Sequence, residues 1–278
     1  MTSPAPSSPA APPSSAGRLA AIGVVAGFMS GLFGVGGGVL VVPALVALCK
    51  QDQRRAVATS LMAIGPLAIS GLVGYAIHRQ VDVYLAVPLV IGTVAGAWVG
   101  STLLRTVSLP ALRWLFAAAT LAAAFRLVLD PGVPAGEVDH GFWTLALLVP
   151  IGLAVGVLSG LTGIGGGAVM VPIMQLGFAV PAALAKGTSL LVVLPTSLVS
   201  GVRNVRARLG SVRDAAWIGL SGMVAAFAAS NVSVRLPQVV ADLLFGLFLI
   251  FVALRTIWPD LRAWWARRSG PEPPPAQP

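Results

Sequence analysis

Two stretches of this chain concentrate residues that suit anion chemistry: GLFGVGGGVLVVP over residues 31–43 and GLTGIGGGAVMVP over residues 160–172. The candidate binding residues are Gly34, Gly36, Gly37 and Gly38 in the first and Gly163, Gly165, Gly166 and Gly167 in the second. A helix that starts after such a cluster, around Val39 and Ala168, leaves its first N–H groups unpaired and carries roughly half a positive charge at that end. Glycine has no Cβ, so an oxyanion can reach those N–H groups directly.

A second shared element supplies hydroxyls. AVATSLMAIGP (56–66) and AKGTSLLVVLP (185–195) place Thr59, Ser60, Thr188 and Ser189 at matching positions. The four can donate to an anion, or they can bond back to the carbonyls of their own helix. Lys186, directly before Gly-Thr-Ser, is the basic residue best placed to meet a substrate on the outer side, its alternative being an interfacial orientation charge. Four prolines, Pro43, Pro66, Pro172 and Pro195, recur in the same two elements and are assigned as structural helix breaks.

Other chemistries are excluded by what is missing. Gly-Val-Gly-Gly-Gly lacks the preceding strand and the G-x-G-x-x-G spacing of a dinucleotide site, and no phosphate-loop Gly-Lys-Ser/Thr occurs. Gly-Leu-Ser-Gly at 219–222 matches a serine hydrolase string, but the only histidines, His78 and His140, fall in loops, so no membrane-embedded base is available. One cysteine, Cys49, excludes an intrachain disulfide and a multi-cysteine metal site. Asp242 is the only acid inside a hydrophobic segment, which leaves no obvious proton relay. Neither an enzyme nor a cofactor-binding protein is expected.

The elements that must position these residues are membrane helices. The 278-residue chain is 56% hydrophobic and 10% charged, with a mean hydropathy of +0.89. Soluble domains carry about 25% charged residues. Eight hydrophobic segments follow: 19–49, 56–77, 83–104, 109–129, 142–185, 187–202, 215–234 and 236–254. Strand-like alternation is absent, so the fold class is an all-α polytopic membrane protein. The net charge of +9 comes from basic residues crowding the segment ends, which signals orientation and lipid contact rather than nucleic acid. Residues 1–17 and 259–278 read as tails, 18–129 and 142–258 as two transmembrane repeats, and 130–141 as the linker.

The repeat is explicit: an offset of 129 superimposes Ser30–Leu45 on Ser159–Met174 and Thr59–Pro66 on Thr188–Pro195. Small-xxx-small packing accounts for Gly92, Gly96 and Gly100, but consecutive glycines face different sides of a helix and cannot all serve one contact. Each cluster therefore reads as a helix break. Length agrees, since residues 19–49 would span about 46 Å and 142–185 about 66 Å as helix against a core near 30 Å. Two geometries accommodate this. If segments 1 and 5 are re-entrant, 14 basic residues share one side and Arg79, Arg126, Lys186 and Arg235 the other, and the halves are inverted repeats. If both cross, the division is 11 to 7 and the repeats are parallel. The positive-inside rule favours the first arrangement, with both termini cytoplasmic.

The doubled G-x-G-G-G-x-x-x-x-P, each copy followed by a Thr-Ser-Leu segment, resembles the sulfite exporter TauE/SafE family of membrane transport proteins over about residues 18–258. The resemblance implies a multi-pass protein of a bacterial inner membrane that moves small sulfur-containing or organic anions: sulfite, sulfoacetate, sulfolactate or aromatic sulfonates. The expected partners are that anion and membrane lipids, with oligomerisation compatible with either. Alternating access around the paired breaks is the expected mechanism, and a passive anion channel is its alternative.

Overall fold

The computed structural model describes residues 15–103, 109–131, 138–162, 165–207 and 209–268. Its regular elements are all α-helices: α1 (Ala16–Phe33), α2 (Gly38–Cys49), α3 (Gln53–Ile77), α4 (Val83–Leu103), α5 (Leu109–Leu129), α6 (Phe142–Thr162), α7 (Gly167–Phe178), α8 (Ala182–Arg206), α9 (Val212–Arg235) and α10 (Gln238–Arg268). Six are long and apolar enough to cross a membrane, and four shorter apolar helices accompany them. The protein is an all-α polytopic membrane protein. Eight hydrophobic segments become ten helices because the first and fifth each split at their glycines.

Helix extends into both segments expected as tails. α1 begins at Ala16, and α10 runs past residue 258 to Arg268. In this extension the Arg262 guanidinium lies 5.2 Å from the ring centre of Trp258 one turn earlier.

The prolines behave differently from expectation. Pro43, Pro66, Pro172 and Pro195 each lie inside a continuous helix, α2, α3, α7 and α8 respectively, and end none of them. A proline removes only its own N–H from the ladder and keeps a helical φ, so a helix enclosed by neighbours runs through it. The breaks are made by glycine alone. Gly37 and Gly166 precede α2 and α7 at φ 78° and 75°, a region that side chains with a Cβ rarely enter.

Packing follows the repeat. α1 runs parallel to α9: a Cβ on Gly23, Gly27 or Gly31 would strike the backbone of Ile218, Gly222 and Ala226 in turn. The counterpart α6 runs parallel to α4 in the same manner, with Gly92 and Gly96 against Val149 and Leu153 and with Gly156 against Thr93. Gly100 lies outside the residues whose surroundings are described. Apolar helices gain nothing from hiding in one another rather than in lipid, so such backbone-to-backbone approach supplies the dispersion that holds them. The repeat-related helices α3 and α8 cross antiparallel, bringing Met62 to Gly201, Gly65 to Ser197, Gly71 to Leu190 and Tyr75 to Gly187.

α2 doubles back. Leu45 and Cys49 near its end share a buried cluster with Leu19 and Ile22 near the start of α1, and with Ala56 and Ala215 near the starts of α3 and α9. Gln51 closes this end by donating from Nε2 to Asp214 Oδ2 at 2.7 Å. At the opposite end the starts of α4, α6 and α8 meet: His140 Nε2 lies 2.8 Å from Asp82 Oδ2, and the Asp82 N–H donates to Thr188 Oγ1 at 2.9 Å. α7 ends here too, leading directly into α8.

Candidate functional site at the paired helix breaks

The two breaks converge midway along α3 and α8. A Cβ on Gly36 would lie 3.0 Å from the side chain of Val193 and 3.2 Å from that of Ile64; one on Gly165 would lie 3.3 Å from Ile64. Gly36 and Gly165 are repeat mates, and so are Ile64 and Val193. Ile64 and Val193 fall close to the midpoints of two 25-residue helices, so the breaks sit near half depth. The segments also touch each other: a Cβ on Gly167 would lie 2.7 Å from the Cα of Val35 and 2.8 Å from the carbonyl oxygen of Gly34.

Two half-helices thus begin at the centre and point outward in opposite directions. In α2 the first intrahelical donors are the N–H groups of Leu40 and Val41, both to the Gly37 carbonyl. In α7 they are those of Val169 and Met170, both to the Gly166 carbonyl. The N–H groups ahead of them, on Gly38 and Val39 and on Gly167 and Ala168, belong to the set that no helix satisfies internally. Gly163 lies outside the described residues.

The four hydroxyls divide into two pairs. Thr59 Oγ1 accepts from the Ser211 N–H at 3.0 Å and Thr188 Oγ1 from the Asp82 N–H at 2.9 Å, so each threonine ties down the loop before α9 or α4. Ser211 and Asp82 are themselves repeat mates. Ser60 Oγ and Ser189 Oγ are buried and have no hydrogen-bond partner. Ser189 Oγ sits 3.0 Å from where a Cβ of Gly167 would lie, at the first residue of α7. A buried hydroxyl without a partner costs about 1–3 kcal/mol, and a repeat-related pair bearing that cost, with one member at the start of α7, is the feature a ligand would explain.

Sequence reading passed over two further serines. Ser30 Oγ is also buried without a partner, and its mate Ser159 lies 3.5 Å from a Cβ built on Gly166. The signal was present, because both serines open the aligned repeat strings.

Lys186 is not at an interface. It is 1% exposed, packed beside Gly34, and its Nζ donates to Ser233 Oγ at 3.3 Å. Ser233 Oγ in turn donates to the Leu32 carbonyl at 2.8 Å, and Tyr75 OH donates to the Gly31 carbonyl at 2.8 Å. The last turn of α1, whose carbonyls lack helical partners, is capped by side chains of α3 and α9, with Lys186 of α8 behind them. Asp242 on α10 is equally buried and accepts from Gln175 Nε2 at 3.2 Å. Among the described residues, no three His, Cys, Asp or Glu side chains come together as a metal site would require.

One cavity lies near the breaks. It measures about 450 Å³ and is lined by Met62, Gly65 and Ser197 at its inner end and Gly201, Val212 and Arg206 toward the starts of α3 and α9. Gly65 adjoins Ile64 and Ser197 is one turn from Val193, so the cavity ends close to the central apolar pair.

Broken helices that meet at half depth in a two-repeat helical protein define the class: a polytopic membrane transport protein. The particular family follows from comparison with known proteins. The model of the family described as sulfite exporter TauE/SafE matches residues 2–127 and 148–278, and the chain belongs to that family. It is 27% identical over 210 residues to the probable membrane transporter protein YunE of Bacillus subtilis (strain 168), covering 67% of this chain and 77% of that one. It is 36% identical over 89 residues to a probable membrane transporter protein of Xylella fastidiosa (strain 9a5c), covering 32% and 34% of the two chains. A probable membrane transporter protein of Haemophilus influenzae is 28% identical over 165 residues, covering 55% of this chain and 60% of its own.

Proposed function

We propose that this membrane transporter carries a small oxyanion, with sulfite or an organosulfonate as the cargo class, by alternating access around the paired glycine breaks. The observation that carries the reading is the pair of buried, unpartnered hydroxyls of the repeat mates Ser60 and Ser189, with Ser189 directly beside the start of α7. The anion accepts from these hydroxyls and from the first N–H groups of α2 and α7, and the two helix dipoles offset its charge. Cargo chemistry is supported by the family description alone.

Antiparallel crossing of the mates α3 and α8 supports inverted halves, each with one re-entrant pair, α1–α2 and α6–α7. The side bearing Lys50, Arg54, Arg55, Arg203 and Arg206 is then cytoplasmic, as are both termini, in an inner membrane. Ile64 and Val193, both within 1% of full burial, fill the space between the breaks and favour a carrier over an open channel.

Purified protein in liposomes tests the reading. Labelled sulfite or sulfoacetate taken up against a trapped pool should saturate and be accelerated by unlabelled anion inside; ohmic single-channel currents would overturn the carrier. Gly37→Leu and Gly166→Leu should insert normally yet lose uptake by at least about a hundredfold, because a Cβ at φ near 78° is strained and the side chain blocks direct approach of an anion to the helix N–H groups. Normal uptake by both variants would remove the glycine site.

A further inference from the structure

The polar cluster at the outer end of α1 has no counterpart in the other half. The repeat mate of Lys186 is Val57, that of Gln175 is Val46, and that of Asp242 is Arg113. Evolution of the site by duplication does not require this cluster, and two oppositely charged groups removed from water are costly unless they do something a pair of leucines would not. Both ions are nevertheless fully enclosed, Lys186 at 1% and Asp242 at 2% exposure, in helices α8 and α10.

We propose that Lys186 and Asp242 form a proton-coupling site, in which the single positive charge of Lys186 neutralises either the ionised Asp242 or the bound anion. The inference rests on the anion-carrier reading above and adds the coupling ion to it.

The geometry supports an exchange of partners. Lys186 Nζ lies 6.0 Å from the Phe245 ring centre, and Asp242 stands one turn before Phe245 on α10. On its other side the Lys186 backbone abuts Gly34, the first residue of the break, which leads within three residues to the start of α2. Phe33, the last residue of α1, stacks on Phe248 at 4.5 Å, so α10, α1 and the break are one packed unit. The groups around the pair are Gln175 from α7, Ser233 from α9 and Tyr75 from α3, all neutral, with only backbone carbonyls from α1. The nearest charges on α5 are Arg126 and Asp130, which are exposed and paired with each other at 2.7 Å. At the start of α4, Asp82, whose N–H bonds to Thr188 Oγ1 two residues from Lys186, has its carboxylate 2.8 Å from His140 Nε2, and Arg235 follows Ser233 by two residues on α9.

The balance is simple. When an anion enters at the break, the Asp242 carboxylate takes up one proton from the outer aqueous phase; its charge goes from −1 to 0, and Lys186 keeps its own proton and charge throughout. Anion binding and proton binding then favour each other, by the reciprocity that linkage demands. Anion and proton move in the same direction, and the loaded carrier has the same charge as the empty one for a monoanion.

Two measurements test this. In liposomes, an organosulfonate such as sulfoacetate is the probe, because its charge does not titrate near neutral pH. Wild-type uptake should rise by about tenfold or more when the outside is made acidic relative to the inside, with alkalinisation of a weakly buffered medium. Asp242→Asn should keep measurable anion exchange but lose the response to the proton gradient, Asp242→Glu should restore it, and Lys186→Met should lose both. A gradient response in Asp242→Asn equal to wild type would overturn the proposal, whereas failure of wild type to exchange any sulfonate or sulfite counts against the cargo reading instead. The second measurement needs no transport: infrared difference spectra of the purified wild-type protein on acidification should show a buried carboxylic acid band that Asp242→Asn abolishes. A band unchanged by that substitution would equally overturn the site.

Discussion

Four hydroxyls at matching positions of two repeats look equivalent in sequence, and the structure makes them unequal. Thr59 and Thr188 each hold a loop N–H, whereas Ser60 and Ser189 hold nothing. Opposite signs of effect follow. Replacing Ser189 by alanine removes an unsatisfied hydroxyl, so thermal stability in detergent should stay level or rise by about 1 kcal/mol while anion affinity falls by about tenfold. Thr188→Val should do the reverse, costing about 1 kcal/mol of stability through the orphaned Asp82 N–H, with affinity much less affected. Thermal melts and anion titration on the two variants read both quantities, and the Ser60 and Thr59 variants should repeat the contrast. A destabilised Ser189→Ala would assign that serine to structure.

At the scale of elements, the glycines break the helices as expected and the prolines do not. Pro43, Pro66, Pro172 and Pro195 ride inside helices, and the turn is made where Gly36 and Gly37, and Gly165 and Gly166, take positive φ. Symmetry reaches even the helix ends: Lys50 and Ala179, both at φ near 50°, close α2 and α7 by the same left-handed turn. The proposed inverted halves make α1–α2 and α6–α7 hairpins that approach the centre from opposite sides. Single cysteines at Gln53 and Gly177, in a chain lacking Cys49, check this directly. Gln53 starts α3, and Gly177 is exposed near the end of α7 with open space around it. An impermeant thiol reagent should label Gly177→Cys from outside and Gln53→Cys only after permeabilisation. Labelling of both from one face would establish parallel repeats.

For the molecule as a whole, the apolar pair Ile64 and Val193 stands where the two halves meet. It lies between the groove at Gly65 and Ser197 and the Lys186 cluster at the other end. Cutting both residues to alanine leaves a void and should cost about 2–4 kcal/mol per site if the helices do not collapse. It should also turn a carrier into a leak, so that liposomes holding the double variant show anion conductance in planar-bilayer or dye-quench assays. Unaltered coupled exchange with no leak would mean that the barrier lies elsewhere.

Sequence alone determined the helical membrane class, the two halves and the positions of the breaks. These are local properties: hydropathy over about 20 residues decides insertion, and consecutive glycines decide where a helix stops, whatever packs around them. Family membership was legible for the same reason, since the motif is contiguous. What each polar residue does was not legible. Whether Thr188 is satisfied depends on a loop more than a hundred residues away in the chain, and whether Lys186 faces water or is enclosed depends on how α8, α9 and α10 pack around the end of α1. Burial and partnership are sums over neighbours brought together by the fold, and only the tertiary structure contains those neighbours.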